Sequence, residues 1–329
     1  MDAMAVPFSA AALALDAEAE ANRVAAAMRE QVLHRLRRRG VVLGLSGGVD
    51  SSVTAALAVR ALGPKRVFAV LMPEGESEPE SLMLGRRMAE HLGIAHVVEE
   101  IGPALTALGC YARRDALIRH VVPGFGPGWG CKVVLDPGLR AQGYNLSALV
   151  VRDPEGREAR HRLPHEIYLG IVAAANMKQR TRKLIEYHHA DRLHHAVAGT
   201  PNRLEYDQGF FVKGGDGLAD LKPIAHLYKT QVYTLAAALD VPPEIRARPP
   251  TTDTWSLPQT QEEFYFALPW ATMDLCLLAL DRGVPAEETA RATGLGVAAV
   301  EAAWRDIAAK RRVAAYLNSP PLLAASEAA

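Results

Sequence analysis

The chain contains little cysteine and has no excess of charge of either sign. Its three cysteines, Cys110, Cys131 and Cys276, lie far apart, without the short spacing that structural zinc sites and redox pairs need. Lysine plus arginine and aspartate plus glutamate number 37 each, which leaves no overall basic field to attract nucleic acid. We therefore expect a reduced, cytoplasmic protein without a nucleic-acid partner, in which any anion site is local.

Long uninterrupted apolar runs are also missing. The opening stretch "MDAMAVPFSAAALALDAEAEANR" has no basic leader, and Asp16, Glu18 and Glu20 interrupt its apolar part well short of a membrane span. We expect neither a signal peptide nor a membrane anchor. With 49% apolar residues in 329, the chain can nevertheless bury a large core.

Helical and strand patterns alternate along the first part of the chain. An amphipathic pattern over 16–39 predicts a helix, after which "VVLGL" reads as a buried strand, "SSVTAALAVRALG" as a helix and "RVFAVLM" as a second strand. A helix over 80–93, a strand over 95–101 and a helix over 103–122 continue the series. Strand, helix, strand implies parallel strands joined by right-handed crossovers, so the predicted fold class is a doubly wound α/β sheet.

The alternation fails between residues 123 and 164, where turn signals dominate and only "NLSALVV" reads as a strand. This block is interpreted as an insertion of loops and a small hairpin. Periodicity then predicts a long helix over 165–192, a strand over 195–200, and helices over 203–208 and 228–240. The predicted organisation is an N-terminal helical extension (1–39), an α/β domain (40–252, with the insertion 123–164) and a C-terminal helical segment (253–329).

The loop "SGGVDSS" directly follows the first predicted strand, where parallel sheets bind ligands. Gly47 and Gly48 let the backbone curl so that its N–H groups approach an oxyanion, and the next helix presents its positive end. Asp50 suits such a site if a divalent cation accompanies the phosphate. The loop lacks the Lys-Ser/Thr pair of the usual P-loop and the three glycines of the dinucleotide fingerprint. The alternative is an ordinary tight turn.

This loop resembles the pyrophosphate loop of the ATP pyrophosphatase superfamily, whose members cleave ATP between the α and β phosphates and transfer AMP to an acceptor oxygen. The resemblance implies a sheet of the adenine nucleotide alpha hydrolase-like type. It also implies that the loop binds ATP through Ser46, Gly47, Gly48, Ser51 and Ser52. The loop does not distinguish the branches of the superfamily.

A second segment, "GTPNRLEYDQGFFVKGGDGLADLKPIAHLYKTQV", is more specific and resembles the signature of the NAD synthase family, of the ammonia-dependent type. The resemblance implies that Asp50 and Glu205 share a magnesium ion and act in catalysis together with Lys229. It further implies ATP contacts at Thr200, Lys229 and Thr251, and contacts to deamido-NAD at Arg180, Lys213, Asp220 and Lys310.

The reaction that this resemblance implies is adenylation of the nicotinate carboxylate of deamido-NAD by ATP, followed by attack of ammonia. NAD, AMP and pyrophosphate are the products. The partners are small molecules, and family members form homodimers. The chain leaves no room for a glutaminase domain, so we expect free ammonia, or a separately encoded glutaminase, to supply the nitrogen.

Two other functions stay open at this stage. A ligase of the same fold could amidate another carboxylate, because the block 123–164 and the stretch "DTWSLPQTQEEFYFALPW" depart from the pattern of the family. A protein of a different class could hold ATP as a sensor without turnover. Four histidines lie between 188 and 195, divided between the end of a predicted helix and the start of a predicted strand. This division indicates surface and packing roles for them and not a zinc site.

Overall fold

Four parallel strands form the centre of the computed structural model, which describes residues 7–135, 147–252 and 254–323. They are β1 (Val41–Gly44), β2 (Val67–Leu71), β3 (Ala95–Val98) and β7 (Ala196–Val197). In the sheet they lie in the order β3-β2-β1-β7. Since all pairs are parallel, the carboxyl ends of the strands lie along one edge of the sheet.

Helices account for most of the remaining structure. They are α1 (Ala17–Arg29), α2 (Val49–Leu62), α3 (Pro79–His91), α4 (Gly102–Ala107), α5 (Cys110–Arg119), α6 (His165–Leu193), α7 (Arg203–Gln208), α8 (Lys229–Ala238), α9 (Pro243–Ala247), α10 (Trp270–Arg282), α11 (Ala286–Thr293) and α12 (Val297–Asn318). None of the helices in the described part of the chain is both long enough and apolar enough to cross a membrane.

Both faces of the parallel sheet are covered, as the alternating side chains of β1 show. Val41 and Leu43 belong to an apolar cluster with residues of α1, α2, α3 and α8. Val42 points to the opposite face and packs with Ala190 of α6. Successive side chains of a strand point to opposite faces, so a strand that is apolar throughout requires cover on both sides. The predicted doubly wound α/β fold is therefore confirmed.

The structure corrects two of the predicted elements. The single helix expected over 103–122 is two helices, α4 and α5, because Gly109 between them adopts a left-handed conformation with φ of +74°. The strand expected over 195–200 contains only the two residues of β7, after which Ala198 makes an isolated bridge to Leu221.

The block at 123–164 contains a second sheet instead of a small hairpin. Strands β4 (Gly130–Leu135), β5 (Ser147–Arg152) and β6 (Glu158–Arg162) form an antiparallel sheet in that order. Residues 136–146 of the predicted insertion lie outside the described residues. Cys131 and Leu149 are buried in an apolar cluster with Trp255, so the sheet packs against the segment that precedes α10.

Candidate active site

A cavity of about 700 Å³ lies at the carboxyl edge of the parallel sheet. Residues that follow β1, β2 and β7 line it, as do the starts of α2 and α8 and residues of α6, α7 and the segment after α9. The predicted ATP, metal and catalytic residues that line the cavity are Ser46, Gly48, Asp50, Ser51, Thr200, Glu205, Lys229 and Thr251. The fold therefore brings into one space residues that are distant in sequence.

The loop after β1 places the start of α2 in this cavity. Gly48 is the N-cap residue of α2, and the hydroxyl groups of Ser51 and Ser52 donate to its carbonyl oxygen at 3.0 and 2.9 Å. The Oγ atoms of Ser46 and Ser51 are 3.2 Å apart. Free backbone N–H groups and the positive end of the helix dipole favour an anion at this position. Ser52 is fully buried, and its hydroxyl bonds within the first turn of the helix.

Gly47 also has a packing role, beside the contact with an oxyanion that the sequence predicts for its backbone. Its φ is +74°, and a Cβ atom added there would lie 2.7 Å from the carbonyl oxygen of Ser81 and 2.8 Å from Cβ of Leu84. Gly47 therefore lets the loop turn back while it packs closely against α3. A direct contact of Gly47 with ATP stays a prediction.

We expect Gly47→Ala to lower the free energy of unfolding by about 1–3 kcal/mol, because it combines an unfavourable φ with a steric overlap. Gly63→Ala is the matched control, since Gly63 also has a positive φ but has no atom within 4 Å of the added Cβ. Urea denaturation of both variants measures the difference. Equal losses in the two variants would contradict the role of packing against α3.

Asp50 and Lys229 form an ion pair at the centre of the site, in which the lysine is buried and the aspartate is partly buried. Nζ of Lys229 contacts Oδ2 of Asp50, and only 2% of the Lys229 side chain is exposed. Nδ2 of Asn202 donates to Oδ1 of Asp50 at 3.0 Å. Burial disfavours the charged lysine, but the carboxylates of Asp50 and Glu205 prevail and raise the pKa of Lys229. A cation at the start of α8 is thus stabilised by an anion in the first turn of α2.

Glu205 lies beside this pair and is held by a capping box at the start of α7. Its backbone N–H donates to Oδ1 of Asn202 at 3.2 Å, while the Asn202 N–H donates to Oε2 of Glu205 at 3.1 Å. Nε2 of Gln261 donates to Oε1 of Glu205 at 3.0 Å. Burial and the nearby charge of Asp50 raise the pKa of Glu205 to about 8.

The groups around Asp50 and Glu205 fit a magnesium ion. Carboxylate oxygens are the hard ligands that this ion prefers, and both side chains contact Asn202. Two carboxyl groups face one ammonium group, so a divalent cation would neutralise the negative charge that ionised Glu205 adds beside Asp50. Nowhere in the described part of the chain do three His, Cys, Asp or Glu side chains form a group that could hold a metal ion. Phosphate oxygens would have to complete the coordination.

The residues predicted to bind deamido-NAD are divided between two places. Lys310 lines the cavity, where its Nζ donates to the carbonyl oxygen of Tyr265 at 2.6 Å. Arg180 and Lys213 contact each other outside it, through an Nε to carbonyl hydrogen bond of 3.2 Å. Asp220 accepts from the N–H of Val197 at 2.7 Å and so supports β7. The roles of these four residues in substrate binding stay predictions.

Sequence reasoning missed several polar side chains of the site. Lys183 and Glu186 form a buried ion pair of 2.6 Å, and both line the cavity one helical turn apart on α6. Asn202 was detectable, because Asn202 and Glu205 have the spacing of a capping box. Gln261 carries no local signal, since its contact with Glu205 joins separate parts of the chain.

Lys178 and His189 of α6 have structural partners. Lys178 is buried and donates to Oε1 of Glu74 at 2.7 Å and to Oε2 of Glu76 at 2.6 Å. Nε2 of His189 lies 2.9 Å from Oε1 of Glu99. These contacts connect α6 to the segments that follow β2 and β3.

Comparison with known proteins gives consistent matches over most of the chain. The model of the NAD synthase family matches residues 20–120 and 158–314. An NH₃-dependent NAD⁺ synthetase of Rhizobium meliloti is 63% identical over 316 residues, which cover 96% of this chain and 94% of the relative. The enzyme of that name from Thermotoga maritima is 36% identical over 244 residues, covering 74% of this chain and 81% of the relative.

Solved structures show the same fold at lower identity. An NH₃-dependent NAD synthetase from Campylobacter jejuni aligns with a TM-score of 0.61 and 21% identity, over 94% of this chain and 99% of that one. An NMN synthetase from Francisella tularensis aligns with the same TM-score of 0.61 and 22% identity, over 94% and 99% of the two chains.

Proposed function

This chain belongs to the NAD synthase family, and from that premise we propose that it is an ATP-dependent amide ligase that converts deamido-NAD to NAD with ammonia. The predicted family and its enzymatic character are confirmed by relatives named as NH₃-dependent NAD⁺ synthetases. The family uses ATP as a cosubstrate. The magnesium ion and the roles of individual residues are part of the proposal.

The meeting of Asp50, Glu205 and Lys229 in one cavity is the observation that supports the proposal best. Lys229 contacts Asp50, and Asn202 contacts both carboxylates. The three ionisable groups come from separate helices, α2, α7 and α8, at the carboxyl edge of the sheet. Such a cluster suits a polyphosphate with a divalent cation.

We propose that the chain catalyses two successive steps. In the first, a carboxylate oxygen of deamido-NAD attacks the α-phosphorus of ATP, the bond to the bridging oxygen breaks, and pyrophosphate leaves. In the second, ammonia attacks the activated carbonyl carbon, AMP leaves, and a proton is released. Neither step needs a nucleophilic side chain of the protein.

The protein's contribution to this reaction is positioning and electrostatic stabilisation. Asp50 and Glu205 would hold the magnesium ion, which when bound neutralises charge that develops on the pyrophosphate. The first turn of α2 offers N–H groups to phosphate oxygens, and Ser46 and Thr200 line the same space. Lys229 supplies a fixed positive charge beside Asp50.

Location and assembly are further parts of the proposal. The three cysteines are free and buried, which agrees with a reducing, cytoplasmic location. The homodimer and a separately encoded glutaminase stay predictions. In the structure, Ala21, Val24 and Met28 of α1 pack into the core of their own chain.

The test is an assay of the purified protein with ATP, MgCl₂ and ammonium chloride. Deamido-NAD, nicotinic acid mononucleotide and nicotinate are compared as acceptors, and NAD, AMP and pyrophosphate are measured by chromatography. We expect equal amounts of NAD and AMP from deamido-NAD with ammonium alone. AMP release that requires another carboxylate would indicate a different ligase, and ATP binding without pyrophosphate release would indicate a sensor.

A further inference from the structure

Gln261 contacts the carboxylate that we propose as a metal ligand, although it belongs to no signature of the sequence. Its Nε2 donates to Oε1 of Glu205 at 3.0 Å, and its side chain lines the cavity. The other carboxylate oxygen, Oε2, accepts from the backbone N–H of Asn202 at 3.1 Å. Each oxygen of Glu205 thus has one fixed donor, which sets the plane of the carboxylate and leaves further lone pairs.

The backbone around Gln261 is tied to the segment that carries Thr251. Thr251 and Thr260 form an antiparallel bridge, and the N–H of Gln261 donates to the carbonyl oxygen of Pro250 at 3.4 Å. The N–H of Thr252 donates to the carbonyl oxygen of Gln259 at 3.2 Å. These bonds place Gln261 at the wall of the cavity.

Strand β4 holds the same segment from the other side. The N–H of Cys131 donates to Oγ of Ser256 at 2.8 Å, and the N–H of Leu257 donates to the carbonyl oxygen of Cys131 at 3.3 Å. Nζ of Lys132 donates to the carbonyl oxygen of Pro258 at 3.0 Å. Nε2 of Gln259, a buried side chain, donates to the carbonyl oxygen of Val133.

Most of this support comes from a part of the chain that the family model does not match. The matched ranges, 20–120 and 158–314, leave out β4 and β5. The hydrogen bonds that connect the antiparallel sheet to the site therefore start from residues outside the ranges that the family model matches. The connection runs from β4 through residues 256–261 to Glu205.

We infer that Gln261 is a positioning residue that orients Glu205 for a divalent cation, and that the antiparallel sheet holds Gln261 in place. Hydrogen-bond partners of metal ligands fix the orientation of the ligand, and their loss weakens metal binding. This inference rests on the proposed role of Asp50 and Glu205 in binding magnesium.

The test measures cation binding directly as well as activity. Binding of α,β-methylene ATP to the purified protein is followed by calorimetry over a range of MgCl₂ concentrations. We expect Gln261→Leu to raise the magnesium concentration for half-maximal binding roughly 10- to 100-fold, the loss typical of such partners. The kcat at saturating magnesium should change much less. Gln31→Leu, on the N-terminal extension, is the matched control and should behave as the wild type.

Two further variants keep the inference testable if Gln261→Leu folds poorly. Gln261→Asn retains an amide but is one methylene too short to reach Glu205, so we expect a similar loss. Gln259→Leu removes the side-chain bond to Val133 and should shift the magnesium dependence in the same direction by a smaller factor. Folded Gln261 variants with unchanged magnesium dependence would overturn the role of Gln261, and an unchanged Gln259→Leu would overturn the role of the sheet.

The outcomes also separate this inference from the proposed function. If the wild type makes NAD from deamido-NAD while Gln261→Leu binds magnesium normally, only the role of Gln261 is wrong. If the wild type does not convert deamido-NAD, the proposed function is wrong, and the titration with the ATP analogue still reports whether Gln261 orients Glu205.

Discussion

Replacing Lys229 with methionine should lower the free energy of unfolding by about 3–5 kcal/mol in the absence of divalent cations, because it leaves a buried charge without its partner. Nζ of Lys229 contacts Oδ2 of Asp50, and Glu205 adds a second carboxylate to the same space. Methionine fills a volume similar to that of lysine. The loss of stability would therefore come from the unpaired charge and not from a cavity. The pKa of Glu205 is raised to about 8, so Glu205 is mostly protonated at pH 7, and Asp50 is the charge that loses its partner.

Urea denaturation in EDTA at pH 7 measures this effect. The double variant Lys229→Met with Asp50→Asn should regain much of the lost stability, because both members of the ion pair are then neutral. Lys65→Met is the control, since Lys65 is exposed, and should stay within about 0.5 kcal/mol of the wild type. A double variant no more stable than Lys229→Met would show that the ion pair is not the cause.

Replacing Glu205 with glutamine should reduce the rate of NAD formation at least about 100-fold, because one oxygen ligand of the cation loses its charge. The same variant should be more stable than the wild type at pH 8 when no divalent cation is present. The reason is that burial and the charge of Asp50 raise the pKa of Glu205 to about 8. An uncharged glutamine avoids the cost of ionising a buried carboxyl group.

The pH range of this stability difference follows from the direction of the shift. The pKa of Glu205 in the folded protein is raised above the ordinary value of 4.5 to about 8. Its contribution to stability is therefore complete below pH 4.5 and is lost as the pH rises through 8. One such group changes the free energy of unfolding by at most about 1.4 kcal/mol per pH unit.

Thermal and chemical unfolding in EDTA between pH 5 and pH 8 would reveal this trend, which follows from the raised pKa of Glu205. We expect the stability of Glu205→Gln relative to the wild type to increase steadily over that range. Glu301→Gln serves as the control, because Glu301 is exposed on α12, and its curve should run parallel to that of the wild type. If the stability of Glu205→Gln instead followed that of the wild type at every pH, ionisation of Glu205 would not destabilise the folded protein.

Local patterns predicted much of the fold and part of the site. The buried run of β1 followed by "SGGVDSS" placed a phosphate loop at the edge of a sheet, and the cavity lies there. The antiparallel sheet was missed because β6 is mostly exposed and polar, so it has no apolar alternation to detect. The break between α4 and α5 was missed because a single glycine within a helical pattern does not show its φ.

The sequence by itself determined the alternation of helices and strands, the loop of Ser46 to Ser52 and the spacing of Asn202 and Glu205, since each depends on residues that are close in the chain. The tertiary structure decided that Lys229 pairs with Asp50 and that Gln261 reaches Glu205. No periodicity or spacing in the sequence predicts either of these two contacts. Both arise because the packing of the sheet and its helices brings distant buried groups together, and a buried polar group must find a partner wherever the fold supplies one.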